Sequence, residues 1–292
     1  MTVNNLLLQN DLNLIPPAEL GRGSGIRLEV CETEQDLYWK MAIEVFDLIK
    51  ENNHKKEKTV MIVPYGPLGP YSRLVWLINK YRLSLRECCF INMDEYLTAD
   101  GTAFINKDHP LSFRGGMDRI FYGLVDSELN LKPENRIFPE PGKEDLIWKI
   151  ILKAGKLDMC FGGVGINGHI AFNEPPEPGE HISNEDFRKL PSRVLKLSRE
   201  TRTINAFMNC GGDLDGIPPY CITVGMKEIW YASKVRMLMP RDWNAGALRK
   251  VLHGKPAAAV PCSLFQEHAD AKLYAAEQAL TSPVPKIRIY NK

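Results

Sequence analysis

The run Leu157 to Pro175, LDMCFGGVGINGHIAFNEP, constrains this chain more than any other stretch of it. Leu157 to Phe161 has the length and composition of a buried strand. Gly162, Gly163, Gly165 and Gly168 follow within seven positions. Glycines at the end of a strand let the backbone turn sharply and approach a ligand closely. Asn167 and His169 sit inside that turn, and Glu174 comes five residues after the histidine, set before Pro175. Open α/β sheets hold their ligand crevices at such strand ends. Taken alone, the pattern also fits a tight turn with a structural histidine.

The preceding sequence supplies the rest of a sheet. Ile26 to Val30 alternates like a strand, and Gln35 to Lys50 places Leu37, Met41, Ala42, Val45, Phe46 and Ile49 on one helical face. Thr59 to Val63 reads as a short buried strand. Tyr65-Gly66-Pro67-Leu68-Gly69-Pro70 is too rich in proline and glycine for regular structure. Tyr71 to Tyr81 returns to helical spacing, and Cys88 to Met93 is the next strand. Strand, loop, helix, strand is a βαβ unit and predicts a parallel sheet with right-handed crossovers. A further helix is expected from about Gly116 to Leu124. The fold class is therefore α/β: a single three-layer domain with a mostly parallel sheet, a modified Rossmann-like arrangement over 26–292. Residues 1–25, with an apolar patch at Leu6 to Leu8, form an N-terminal arm that packs on a neighbour or leads in without order.

Composition excludes several classes. At 292 residues with 44% hydrophobic and 25% charged content, the chain is an ordinary globular protein. A formal net charge of +1 offers no electrostatic footprint for nucleic acid or a membrane surface. No apolar run approaches the ~18 residues of a membrane span, and no secretory leader is visible. Seven scattered cysteines without a CxxC pair read as buried thiols of a cytoplasmic protein. Gly66-x-x-Gly69 is only loosely like a nucleotide loop, without a Walker lysine or a full GxGxxG, and no metal-ligand spacing occurs, so neither a nucleotide nor a metal is expected.

The second strand ends in Asn92-Met93-Asp94-Glu95-Tyr96. Adjacent residues on a strand point to opposite sides, so as a rule only one of the two carboxylates faces a crevice; a helix or turn cap is the alternative structural reading, and the pattern alone fits both equally. In a parallel sheet these strand ends can be neighbours, which would bring Asp94, His169 and Glu174 together. Such a set suits proton transfer on a small polar molecule: a carboxylate base, an imidazole alternating between base and acid, and a second carboxylate orienting it. No serine or cysteine lies in a nucleophile motif. His109, in a polar loop, reads as solvated.

Asn92-Met93-Asp94-Glu95-Tyr96, His109-Pro110-x-Ser112 and Gly165-x-x-Gly168-His169-Ile170-Ala171-Phe172-Asn173-Glu174-Pro175 resemble, in order and spacing, the signatures of glucosamine-6-phosphate deaminases. Thr223-Val224-Gly225 and Ser263 to His268 extend the resemblance across roughly Ile26 to Leu280. The run from His169 to Pro175 sets the chain apart from the related 6-phosphogluconolactonases. The resemblance implies conversion of an amino-sugar phosphate to a ketose phosphate and ammonia without a cofactor. His169 would open the pyranose ring, Asp94 would shuttle a proton between C2 and C1, and Glu174 would polarise His169. The small-molecule sugar would rest against Gly66, Gly69, Glu95, Gly165 and Gly168. Subunit number is open, since such enzymes range from monomers to hexamers, and a homo-oligomer is compatible. Arg193 falls where allosteric members carry effector-site arginines, but one matching arginine is too little for regulation and a surface salt bridge is the expected use.

The departures from that pattern are as informative. Where the family has an aspartate two residues before the histidine, this chain has Asn167, which hydrogen-bonds but brings no charge, or merely keeps the turn. The family's first glycine loop reads like Thr-Gly-Gly-Ser/Thr-Pro. Here Pro67 lacks an amide donor and Leu68 lacks a hydroxyl. A family arginine aligns with Phe207 and a family lysine with Asn244. Three readings follow: an enzyme of this class with an altered substrate; an ordinary deaminase whose phosphate ligands come from Arg73, Arg199, Arg202 or Arg241; or a non-catalytic sugar binder, with a lactonase-type hydrolase as a further alternative.

Overall fold

The computed structural model describes residues 11–283, so the Leu6 to Leu8 patch lies outside the described residues. In chain order the first elements are β1 (Arg27–Cys31), α1 (Glu34–Lys55), β2 (Thr59–Val63), α2 (Gly69–Tyr81), β3 (Cys88–Asn92), β4 (Asp94–Tyr96), α3 (Phe113–Met117) and β5 (Arg136–Ile137). Then come α4 (Leu146–Ala154), β6 (Met159–Gly163), α5 (Asn184–Arg188), β7 (Arg193–Lys196), α6 (Arg199–Asn209), β8 (Tyr220–Thr223), α7 (Met226–Trp230), β9 (Val235–Met239), α8 (Ala245–His253) and β10 (Ala271–Ala276).

Seven strands form one parallel sheet in the order β1-β10-β9-β6-β2-β3-β5. The reason is visible in β2, where all five residues of Thr-Val-Met-Ile-Val are buried. Val60 and Ile62 face one core, against α4, α7 and α8, while Met61 and Val63 face the other, against α1 and α2. A strand buried on both faces needs apolar side chains at every position, and helices must cover both sides. The three-layer expectation holds.

The chain winds outward from β2 through β3 to β5, then returns to β6 and winds the other way through β9 and β10. The order reverses between β2 and β6, and the crevice of a doubly wound sheet opens at that switch point. The loops after these two strands are the Pro64 to Pro70 and Val164 to Glu174 segments singled out above, and they touch. A Cβ added at Gly163 would lie 3.2 Å from Pro67 Cδ.

Three features depart from the sequence reading. Helix α1 extends well past Lys50, from the Thr33–Asp36 capping box to a left-handed Lys56. The helix expected from Gly116 instead starts at Phe113, capped by Ser112, and continues as a π-turn over Asp118–Tyr122. A small antiparallel sheet, β4-β8-β7, forms beside the parallel one. It forms because the chain breaks at Met93, whose N–H bonds to Val63 and whose carbonyl accepts from Val224. Over its described part the N-terminal arm lies against α8 of its own chain. Ile15 O accepts from Arg249, Gly21 N–H donates to His253 Nε2 at 3.0 Å, and Leu20 enters the core.

Candidate active site

Asp94 opens β4, directly opposite Thr223 in the antiparallel register. The Thr223 hydroxyl in turn accepts from Phe172 N–H at 3.1 Å, so this one residue holds the strand of Asp94 and the loop of His169 together. Asp94 is buried, and its carboxylate makes no hydrogen bond among the described residues. Burial, with the charge of Glu95 behind it, pushes its carboxyl well above the usual carboxylate range. A carboxylate in that state is a stronger base than one in water.

The imidazole of His169 rests on Gly165, where an added Cβ would stand 2.1 Å from Cε1 and 2.2 Å from Nε2. Gly165 N–H donates to His169 O at 2.9 Å and closes the loop. Gly168, at φ +85°, leaves room for Val260, which explains why this turn needs glycine at both positions. The ring's Nδ1 lies 2.7 Å from Asn167 Oδ1 and 3.3 Å from Glu174 Oε2, and Asn167 Nδ2 donates to Glu174 Oε2 at 2.8 Å. A carboxylate only accepts, so the amide must turn its NH2 to Glu174 and its oxygen to the imidazole. Nδ1 of the neutral ring therefore carries the proton, and Nε2 is left as an acceptor for a ligand. Asn167 fixes the tautomer that a family aspartate would otherwise favour by charge.

Glu174 is held down at about 2. Its burial raises it, but the hydrogen bond and charge of His169, then the hydrogen bonds of Asn167 and Thr201, outweigh that cost. Its Oε1 is buried without a partner, an acceptor still unmet inside the site. Asp94 is thus pushed up and Glu174 pushed down, the pattern of perturbation found at functional sites.

The sequence reading missed several supporting residues. Thr201, fully buried on α6, places its hydroxyl 3.4 Å from His169 Nδ1. Its only sequence signal is the Ser198-x-x-Thr201 helix start. Asn173 donates to Ile170 O and Val224 O and accepts from Arg193 Nη1 at 2.9 Å. The surface salt bridge expected for Arg193 is corrected: among the described residues its guanidinium anchors the catalytic loop instead. Tyr65, Phe113, Tyr96 and Phe172 form a continuous aromatic wall leading to the imidazole.

Other expectations are also corrected. Glu95 is not a substrate ligand: wholly enclosed, it accepts from Tyr96 N, Ser112 Oγ, Phe113 N and Arg114 N at 2.8–2.9 Å and so caps α3. Gly69 is required for packing, since its Cβ would enter the Tyr38 ring. Gly66 alone in that loop faces open space. Arg73 lies over Tyr38 and Trp39 and donates to Gly69 O. Arg202 donates from Nη2 to Leu214 O and Ile217 O while its buried Nε has no partner among the described residues, and Arg241 pairs with Glu34 at 2.9 Å. Asn244, at the family lysine position, is buried and donates to Val164 O. Leu68 and Phe207 are exposed, Phe207 by 72%. His109 is an exposed turn residue whose ring accepts from Leu111 N–H.

No family model matches the chain. It is 28% identical over 250 residues to the glucosamine-6-phosphate deaminase of Thermoanaerobacter pseudethanolicus, covering 83% of this chain and 90% of that one. It is 31% identical over 218 residues to the enzyme of the same name from Cronobacter sakazakii, covering 73% and 75%. The chain belongs to the glucosamine-6-phosphate deaminase family. A solved structure described as a monomeric glucosamine-6-phosphate deaminase superposes with a TM-score of 0.73 at 27% identity, over 87% of this chain and 99% of that one. A 6-phosphogluconolactonase from Thermotoga maritima, at 14% identity and a TM-score of 0.59, shares the fold alone. Membership in the deaminase family makes this protein an enzyme. Among the described residues no cluster of metal-ligating side chains occurs, and no helix is long and apolar enough to cross a membrane.

Proposed function

We propose that the protein is an aldose–ketose isomerase and deaminase of amino sugars whose substrate lacks the 6-phosphate. The observation that carries the reaction class is the pair of oppositely perturbed carboxylates, Asp94 and Glu174, around one imidazole of fixed tautomer. In this reading His169 Nε2 takes the proton from the anomeric hydroxyl and returns it to the ring oxygen, opening the sugar. Glu174 stays ionised throughout and stabilises the imidazolium that forms meanwhile. Asp94 then moves a proton between C2 and C1, for which its raised basicity is suited. A sugar binder without chemistry would have no use for a base held at that desolvation cost.

The substrate follows from the far end of the crevice. A phosphate dianion needs charge-assisted donors worth about 1.5–3 kcal/mol each. Arg73 packs on Tyr38 and Arg241 pairs with Glu34, Asn244 is buried, and Leu68 and Phe207 present hydrocarbon. Pro70 removes an amide from the first turn of α2, and Tyr71 N–H is spent on Leu68 O. A neutral hydroxyl or an apolar group fits that end better than a dianion. A second reading, retention of the 6-phosphate, rests on Arg199. It is exposed and makes no ion pair among the described residues.

Ammonia release from glucosamine and galactosamine, each with and without the 6-phosphate, tests both readings, with Asp94→Asn as the blank. Turnover confined to the unphosphorylated sugars is expected. Strong turnover of a 6-phosphate that Arg199→Ala abolishes would replace the first reading by the second.

A further inference from the structure

Helix α1 carries an exposed stripe that none of the catalytic argument uses. Asp36, Lys40, Ile43, Asp47 and Lys50 are spaced four, three, four and three residues apart and all are exposed. At 3.6 residues per turn this spacing puts them on one narrow face of the helix. Their charges run minus, plus, neutral, minus, plus. Reversed end to end, the same series reads plus, minus, neutral, plus, minus. Two copies of this face laid antiparallel with Ile43 at the centre therefore meet charge for opposite charge: Asp36 opposite Lys50, and Lys40 opposite Asp47, each twice.

The flank of the stripe is aromatic. Trp39 packs edge-on against Trp76 of α2 at 5.8 Å, Trp76 against Tyr81 at 6.2 Å, and Tyr81 against Phe46 at 5.8 Å. Trp39, Ile43, Trp76 and Tyr81 are exposed by 37%, 44%, 49% and 60%. With side chains of 150–250 Å² each, the three exposed aromatics alone present about 300 Å² of accessible ring surface. That is already within the range of the largest apolar patch on a typical monomer, about 300–600 Å², which is often functional. A stable interface buries about 800 Å² per partner, and the charged stripe adjoining the aromatics supplies its polar share. Among the described residues no other segment covers this face.

We propose that this face is a two-fold interface between two copies of the chain, formed by antiparallel packing of α1 on its counterpart about Ile43. An isologous contact requires a self-complementary surface, and the sign-alternating stripe is one. The aromatic rows flank the seam as its desolvated anchors. Lys40 also pairs with Glu29 at 2.5 Å, an exposed contact of the kind worth little on its own.

Sedimentation velocity of the full-length protein is expected to give twice the monomer mass. Lys40→Asp or Asp47→Lys alone should weaken association about tenfold or more, because symmetry turns each change into two like-charge contacts. Lys40→Asp combined with Asp47→Lys restores the complementarity and the dimer. Position 43 sits on the axis, so an Ile43→Cys variant should form an intermolecular disulfide on mild oxidation, which needs Cα atoms within about 7 Å. An Asp47→Cys variant, about 12 Å along the helix from its own copy, should not. Wild-type protein controls for the native cysteines. A monomer at every concentration up to the solubility limit would overturn the proposal. So would a dimer indifferent to both single charge reversals, or one whose Ile43→Cys variant fails to cross-link.

Discussion

Gly165→Ala tests whether the catalytic imidazole owes its position to the missing side chain beneath it. The added methyl would stand 2.1 Å from His169 Cε1, 2.2 Å from Nε2 and 2.6 Å from Nδ1. Carbon atoms in contact prefer about 3.5–4.0 Å, so the ring must retreat by more than 1 Å. Retreat breaks the 2.7 Å bond from Nδ1 to Asn167 and moves Nε2 off the line of the substrate's oxygens. A misplacement of about 1 Å at a reacting group costs on the order of 10²-fold in rate, or about 3 kcal/mol of transition-state stabilisation. Because a side chain rather than backbone must yield, the overpacking should cost only about 1–3 kcal/mol of stability. At about 2–4 °C per kcal/mol for a domain of this size, the fold survives. The assay is kcat/KM for ammonia release on the best amino sugar, beside a thermal melt and a circular dichroism spectrum. Gly246→Ala, whose Cβ would meet only Pro283 Cβ at 3.9 Å, serves as the matched control and should leave both readouts near wild type. A folded Gly165→Ala protein within threefold of wild-type kcat/KM would refute the account of how His169 is seated.

Four further outcomes follow from the same geometry. Asp94→Asn should abolish turnover yet raise Tm at neutral pH: a carboxyl whose folded pKa is raised contributes stability below its unfolded value and loses it as pH rises, so removing the charge relieves that loss. An unchanged or lower Tm at pH 7 with higher Tm only in acid would contradict the sign. For Glu174 the sign is opposite. Held at about 2 against an ordinary 4.5, it contributes about 3 kcal/mol that is present above pH 4.5 and fades as pH falls toward 2, so Glu174→Gln should lose stability at pH 7 and show a shallower acid transition in urea melts. Asn167→Asp would set a second carboxylate against Glu174 Oε2 and imidazolium would be favoured, moving the acidic limb of kcat/KM to higher pH; an unmoved limb would remove the tautomer role assigned to the amide. Finally, Leu68→Ser with Phe207→Arg should improve kcat/KM for a 6-phosphorylated amino sugar by about 10²-fold or more, from two restored donors.

Much of this site was legible in order along the chain. Glycines cluster after a strand only where the backbone must turn tightly, and Gly165 and Gly168 do make room for His169 and Val260. The doubly wound sheet was legible too, because β2 is buried throughout and apolar at four of its five positions, and is followed by a loop and a helix of different periodicity. Local pattern determined the positions of Asp94, His169 and Glu174 relative to their own strands. Tertiary structure decided which groups are free. Glu95 and Asp94 are adjacent and chemically alike, and only the packing of Ser112 to Arg114 onto one of them makes it a cap and leaves the other bare. Arg73 and Arg241 are engaged by Tyr38, Trp39 and Glu34, which lie far from them along the chain. Thr201 and Arg193 reach the catalytic loop only through long-range contacts. The physical reason is one of range. Backbone conformation and burial follow from neighbours a few residues away, whereas the charge state of a side chain and its freedom to meet a substrate depend on whatever the fold brings within a few ångströms of it.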